Sequence, residues 1–448
     1  MTPPDDQLET HRAIEAVWRI ESARLIAGLT RLVRDLGLAE ELAQDALVAA
    51  LEQWPQTGVP RNPGAWLMTT AKRRAIDLIR RRQRLEQKIT ELGHELENEQ
   101  AGAVSESDAA FDAVLEDTAD RIEDDLLRLV FTACHPVLAT EARVALTLRL
   151  LGGLTTKEIA RAYLVPESTV AQRITRAKRT LAEAHVPFEV PRGEELAARL
   201  SSVLEVVYLI FNEGYAATAG DDWMRPALCE EALRLGRILA GLAPDEPEVH
   251  GLVALMEIQA SRSAARTGPD GEPVLLLEQD RGRWDHVLIR RGLAALDRSE
   301  QLAAARGSGL GPYALQAAIA ACHARARTPQ ETDWRLIATL YQELAGLLPS
   351  PVVELNRGVA LAMAYGPEAG LELVDRLAGE PSLKGYHLLP TVRGDLLAKL
   401  GRLDEARQEF ERAADLTRNG RERALLLGRA AACGQGRAGR SQGPHDQA

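Results

Sequence analysis

Apolar residues recur along this chain at three- and four-residue steps, the period of one face of an α-helix. Ile14, Trp18, Leu25, Leu29, Leu32 and Leu36 form the first stripe, and Gly37 is expected to end that helix. Leu42, Ala46, Leu47, Ala50, Leu51 and Trp54 form a second, predicted to stop before Pro55. A loop with Pro60, Pro63 and Gly64 follows, and a third helix is predicted from Ala65 to beyond Arg84.

The same pattern divides the chain into five stretches. Residues 10–85 form one helical unit. Residues 86–122 are acidic and poor in aromatics, and read as a partly disordered or loosely helical linker. Residues 123–185 form a second compact helical unit. Residues 190–435 are a long run of helices broken by turn signals such as Gly268-Pro269-Asp270-Gly271 and Gly366-Pro367. Residues 436–448 are a Gly/Ser/Arg/Gln-rich tail, expected to be disordered.

Within the long run, Ala364-Tyr365-Gly366-Pro367-Glu368-Ala369 resembles Leu400-Gly401-Arg402-Leu403-Asp404-Glu405-Ala406, with the terminal alanines 37 residues apart. A small-residue turn followed by such a second helix is similar to tetratricopeptide repeats, whose period is about 34 residues. Phe410 and Ala413 support this for the second copy. The expected fold class is all-α, two small helical domains followed by a TPR-like helical repeat extension.

Composition agrees with helix. Ala, Leu, Glu and Arg dominate, hydrophobic residues are 46% and charged residues 27% of the 448. The net charge of −11 argues at first against a nucleic-acid partner. Binding depends on local patches, however, and the charge is uneven. From Arg61 to Lys88 there are nine Lys/Arg against Asp77 and Glu86, whereas Glu91 to Asp125 holds thirteen acids and one Arg.

Cys134, Cys229, Cys322 and Cys433 are far apart and form no C-x-x-C, so neither a zinc module nor a redox motif is suggested. Few cysteines, no basic-then-apolar leader and no apolar run long enough for a membrane together predict a cytoplasmic protein.

The third helix carries the first candidate chemistry. Leu67, Ala71, Ala75 and Leu78 fall on one side; Arg73, Asp77, Arg80 and Arg84 line another, flanked by Lys72, Arg74 and Arg81. A cationic strip of this density attracts phosphates. Trp66, at the helix start, is placed to stack on an unpaired base.

The second candidate is a helix-turn-helix over Gly153–Ile174. Thr155 and Glu158 make a capping-box pattern, Ile159 and Ala160 suit a tight helix pair, and Pro166 suits the first turn of the next helix. Val170, Ile174 and Ala177 then face inward, which leaves Ser168, Thr169, Gln172, Arg173, Arg176 and Arg179 outside. These side chains are of the kind that read base edges in the major groove, while Lys178 and Arg179 suit phosphate.

An enzyme in the extension has only thin support. Asp221-Asp222-Trp223, the group Asp280, Asp285 and His286, and His135 beside Cys134 are explained more simply as caps and surface or packed residues. There is no Gly-rich phosphate loop, H-E-x-x-H or G-x-S-x-G. No catalytic residue, metal or cofactor is expected.

Taken together, these motifs resemble the extracytoplasmic-function (ECF) group of sigma-70-type sigma factors over about residues 10–185. Glu40-Glu41-Leu42-Ala43-Gln44-Asp45-Ala46-Leu47 with Trp54 resembles the region that docks on the β′-subunit clamp of RNA polymerase core. Glu41, Gln44, Asp45 and Trp54 are the polymerase-binding residues that this resemblance implies. Pro63-Gly64-Ala65-Trp66-Leu67 and Ala71-Lys72-Arg73-Arg74-Ala75-Ile76-Asp77 resemble the helix that melts and reads the promoter −10 element. Gly153 to Leu181 resembles the region that reads the −35 element. One departure is Leu164, where the usual turn has a Gly; a left-handed Leu there would be strained by about 1 kcal/mol.

The extension resembles that of a subgroup with a long C-terminal helical-repeat region. Gly311-Pro312-Tyr313-Ala314-Leu315-Gln316-Ala317-Ala318-Ile319-Ala320 and Glu278-Gln279-Asp280-Arg281 with Trp284-Asp285 carry that likeness. It implies that the extension regulates activity, with a signalling partner. The acidic linker is expected to mimic nucleic acid in a polymerase channel. The competing reading is a helix-turn-helix regulator that never acts as a polymerase subunit.

Overall fold

The computed structural model describes residues 4–94, 119–163, 165–216, 224–269, 272–417 and 419–438. They fold into eighteen α-helices with short 3-10 turns. Among the described residues there is no strand beyond one isolated bridge, Thr267 to Pro273, and no helix long and apolar enough to cross a membrane. The linker residues 95–118, Leu164, the Asp221-Asp222-Trp223 cluster, Asp270-Gly271 and the tail from 439 lie outside the described residues.

The chain divides into two compact units, Met1–Val206 and Val207–Ala448. The first unit opens with α1 (Pro4–Val33), α2 (Leu36–Thr57) and α3 (Pro63–His94). Ile14, Leu25 and Leu29 of the first stripe are buried in its core. Two boundaries differ from expectation. The break falls at Arg34 and Asp35, because the Asp35 carboxylate accepts the Leu38 N–H at 2.9 Å and caps α2. Leu36 and Gly37 therefore begin α2 rather than end α1. Pro55 lies inside the last turn of α2, after which Gly58 turns the chain at a φ of 80° and donates its N–H to the Trp54 carbonyl.

The unit continues with α4 (Ala119–Ala133), α5 (Thr140–Leu150), α6 (Thr156–Tyr163) and α7 (Glu167–Glu183). α1 packs against α2, α3 and α4, and α7 packs against α5 and α6. Gly153, between α5 and α6, has a φ of 65°, and a Cβ there would stand 3.0 Å from Ser22 Oγ on α1. Both the turn and the close approach require glycine.

The division between units falls inside α8 (Glu194–Tyr215), rather than at about residue 190. The reason is a set of polar ties. Arg199 donates to the Phe131 carbonyl at 2.9 Å, Ser202 to the Cys134 carbonyl at 2.6 Å, and Arg143 to Ser202 and Glu205. The first turns of the extension thus belong to the same packed body as the helix-turn-helix.

The second unit holds α9 (Pro226–Leu242), α10 (Pro247–Ala260), α11 (His286–Ala305), α12 (Pro312–Arg325), α13 (Trp334–Leu347), α14 (Pro351–Tyr365), α15 (Pro367–Leu377), α16 (Leu388–Lys399), α17 (Leu403–Leu416) and α18 (Gly420–Ala438). From α9 onward each helix packs against the next. The two similar sequence strings fall at the turns of two helical hairpins, α14–α15 and α16–α17. In the first, a Cβ on Gly370 would lie 2.5 Å from the Gly358 carbonyl oxygen, so only a glycine permits that helix approach. In the second, Gly394 sits beneath the Phe410 ring. A 3-10 segment joins α10 to α11. There Asp280 caps the Gly282 N–H, and Asp285 caps the N–H groups of Val287 and Leu288. These two carboxylates are caps in the structure, and His286 is simply the exposed first residue of α11.

Candidate nucleic-acid interface

α3 presents Arg73, Asp77, Arg80, Arg81 and Arg84 on an exposed face, while Leu67, Ala71 and Ala75 are buried against α1 and α2. The helical period separates the two faces as expected. Lys72 is a correction. It is 4% exposed and sits among the packed positions, so it cannot share the open cationic strip. Arg74 is half-buried and pairs with Asp45 of α2 at 3.4 Å.

Trp54 is a second correction. It is 2% exposed, one of the largest wholly buried side chains, and meets Trp66 edge to face at 5.3 Å. Its apolar bulk anchors α3 to α2, which removes it from any docking surface. Trp66 remains half-buried at the start of α3, with its ring partly engaged by Trp54.

On α2 the exposed positions Glu41, Asp45, Val48, Leu51 and Glu52 recur at helical spacing. Val48 is 50% and Leu51 36% exposed. Leu51 belongs to this outer face, not to the core stripe where its spacing placed it. An acidic face bearing exposed aliphatic residues is the signal that stripe-counting missed. Gln44 lies beside it, half-buried, and donates to Glu40 at 2.8 Å.

The helix-turn-helix is α6 and α7. Its start is the capping box the sequence suggested: the Thr155 N–H donates to the Glu158 carboxylate at 2.8 Å, and the Glu158 N–H donates to Thr155 Oγ1 at 3.2 Å. Burial raises the Glu158 carboxyl, but these hydrogen bonds and Arg19 bring it below the usual carboxylate value. Ile159, Ala160, Val170, Ile174, Ala177 and Leu181 are all buried. Pro166 is the N-cap of α7, at the edge of the first turn where the sequence placed it. Ser168, Gln172, Arg176 and Arg179 are exposed, and Thr169 and Arg173 are half-buried. Arg179 also pairs with Glu183 one turn on, at 3.5 Å.

Lys178 is the third correction. Its ammonium is ion-paired with Glu40 of α2, and Arg149 of α5 donates to the same carboxylate at 2.7 Å. Glu40 is 4% exposed. Burial raises its carboxyl, and Lys178 and Arg149 together more than reverse that, leaving it below the ordinary value. Arg31 of α1 donates to Asp125 of α4 at 2.7 Å, a second tie between the two helical regions. Here burial wins, and the Asp125 carboxyl stands above its usual value despite Arg31 and Arg128. Arg19 pairs with Glu158 at 3.2 Å as an exposed third tie. The helices of residues 4–94 and those of 119–183 are therefore held against one another in this unit.

Two regions of sigma-70 type account for this arrangement. Residues 20–85 match the model of Sigma-70 region 2, and residues 128–181 match that of Sigma-70, region 4. Residues 199–300 match a family of unknown function (DUF6596). The chain is 44% identical over 406 residues to the uncharacterized protein R00370 of Rhizobium meliloti, which covers 90% of this chain and 91% of that one. It is 27% identical over 184 residues to the probable ECF RNA polymerase sigma factor SigI of Mycobacterium tuberculosis, covering 41% of this chain and 59% of that protein. It is 31% identical over 163 residues to the ECF RNA polymerase sigma factor SigK of Mycobacterium bovis, covering 36% of this chain and 78% of that protein. The chain belongs to the ECF sigma factors of the sigma-70 family, in a form with a long helical C-terminal extension. Sigma factor families bind RNA polymerase core and promoter DNA, and are typically non-enzymatic.

Proposed function

We propose that this chain directs RNA polymerase core to specific promoters in the cytoplasm and starts DNA-templated transcription there, with no catalytic role of its own. The observation that carries the reading is the outer face of α2. Glu41, Asp45, Val48 and Leu51 form an exposed acidic and aliphatic strip beside the cationic face of α3. A regulator that only binds DNA needs α6 and α7 but has no use for that strip.

In this reading the α2 strip, with Gln44 at its edge, docks on the β′ clamp. Arg73, Arg80 and Arg81 hold the −10 strand, and Trp66 stacks on an unpaired base there. Asp77 lies on the same face and tunes its contacts. Ser168, Thr169, Gln172, Arg173 and Arg176 of α7 enter the major groove near −35, with Arg179 on phosphate. Lys178 joins them only when its pair with Glu40 opens. The extension regulates this activity.

Transcription in vitro with purified core polymerase tests the proposal. A promoter-specific transcript is expected, and none from any promoter of the source genome would end it. Glu41→Lys reverses charge on the strip without touching the Asp45–Arg74 pair. It is expected to abolish capture of core polymerase while leaving binding to −35 duplex DNA unchanged. Equal capture by wild type and variant would favour the regulator reading.

A further inference from the structure

The second unit bears a partly open cavity of about 270 Å³ between the 3-10 segment after α10 and the helices α16 and α18. Tyr215 and the pair Arg262 and Arg266 stand at one side, His387 and Glu422 at another. Val274, Leu276, Leu388 and Leu426 make much of the rest apolar. The volume falls just short of the usual range for drug-sized ligands, about 300–1,000 Å³, which suits a smaller molecule.

The polar groups here are arranged for something the chain does not supply. Arg262 and Arg266 both stand over the Tyr215 ring, at 5.8 Å and 3.5 Å from its centre. Arg262 also lies 6.0 Å from the Trp284 ring. Its Nε is buried without a hydrogen-bond partner, and among the described residues no ion pair of its guanidinium is found. Burial lowers Arg266 from the usual arginine value; Tyr215 and the Glu422 charge partly offset this, and the charge of Arg262 adds to it. The two guanidinium groups flank the 3-10 turn Ser263–Ala265 and repel each other in a partly apolar site; Arg266 is tied to the Tyr215 carbonyl and feels the Glu422 charge, which leaves Arg262 as the group that an added anion would engage. The nearby carboxylate, Glu422, accepts from the Thr417 hydroxyl at 2.8 Å and lies 3.2 Å from His387 Nε2.

Gln279 supplies the independent observation. It is 7% exposed, its amide N–H donates to the Val274 carbonyl at 3.1 Å, and its Oε1 is buried with no donor. A buried acceptor in a cavity wall is costly until a donor reaches it.

We propose that this cavity binds a small organic acid. Its carboxylate is forked by Arg262 in the field of Arg266, a hydroxyl or N–H on it donates to Gln279 Oε1, and its apolar body lies against Val274, Leu276 and Leu388. This is a ligand site in the extension, separate from the DNA- and polymerase-facing residues.

Calorimetric titration of the full chain tests it with 4-hydroxybenzoate, indole-3-acetate and 3-hydroxyhexanoate as probes and phenol as a neutral control. Saturable single-site binding is expected for at least one acid, with phenol about tenfold weaker or worse. Arg262→Gln should weaken the best acid by about tenfold, with Arg262→Lys between the two. Gln279→Leu should weaken it several-fold, while helical circular dichroism of each variant stays that of wild type. No saturable binding by any of the acids overturns the proposal. So does phenol binding as tightly as the acids, or full affinity in both Arg262→Gln and Gln279→Leu. The readout is binding alone, so it stands or falls independently of transcription.

Discussion

Glu40 shows most sharply how one residue's role depends on partners far along the chain. Its two cations lie on α5 and α7, and the tie to Arg149 spans 109 residues. Because the folded carboxyl is depressed, its stabilising contribution is present at neutral pH, above the ordinary carboxylate range, and is lost as pH falls through the folded value. Glu40→Gln leaves Arg149 and Lys178 without their counter-charge and should cost about 3 kcal/mol, the low end for breaking a buried pair since Lys178 keeps some exposure. Urea denaturation at neutral pH checks this. Between neutral pH and pH near 3, wild type should lose more stability than the variant, and parallel losses would contradict the assignment. Trp54 makes the opposite case. Trp54→Ala should cost about 3–5 kcal/mol as a cavity in the core, measured by the same denaturation, and any loss of polymerase binding should track the unfolded fraction.

At the scale of elements, α8 is the helix whose role the sequence pattern least suggests. Its apolar period announces only another helix of the extension. Its polar side chains, however, satisfy carbonyls at the end of α4 and the 8%-exposed Arg143 of α5. Arg199→Ala should cost about 1–3 kcal/mol by stranding the buried Phe131 carbonyl. A lowered melting temperature of the first unit would register it. A chain cut at residue 190 should show a larger drop, because it strands Arg143 as well. A transcription defect in such a truncation then reports damage to the helix-turn-helix body before any regulatory effect. A cut chain that melts like wild type would refute this. The caps and stripes of α6 and α7 were legible, in contrast, since Thr155 and Glu158 are three residues apart and the buried positions follow the helical period.

At the scale of the first unit as a body, the region 2 and region 4 helices are not independent. The pair between Lys178 and Glu40 occupies a cation of α7 with a carboxylate of α2. Freeing Lys178 should therefore strengthen duplex binding. Glu40→Gln is expected to bind a −35 duplex several-fold more tightly than wild type at moderate salt, by fluorescence anisotropy, with a steeper salt dependence by about one counterion. Unchanged affinity and slope would show that Lys178 does not reach DNA even when released.

The sequence by itself determined what local physics controls. Helical period, capping box and proline positions act within a few residues, and they set the all-α class, the buried faces of α1, α3 and α7, and the motif order that marks the family. Only the tertiary structure decided which charged residues are available. Lys72, Arg74 and Lys178 read alike with their neighbours along the helix. One is buried, one is paired to Asp45, and one is paired to Glu40. Trp54 and Trp66 likewise became a packed pair, and Arg262 and Gln279 became walls of one cavity. Such outcomes depend on which distant helices meet. A pattern with a period of 3.6 residues carries information about the face a residue occupies, and none about the partner that face will find.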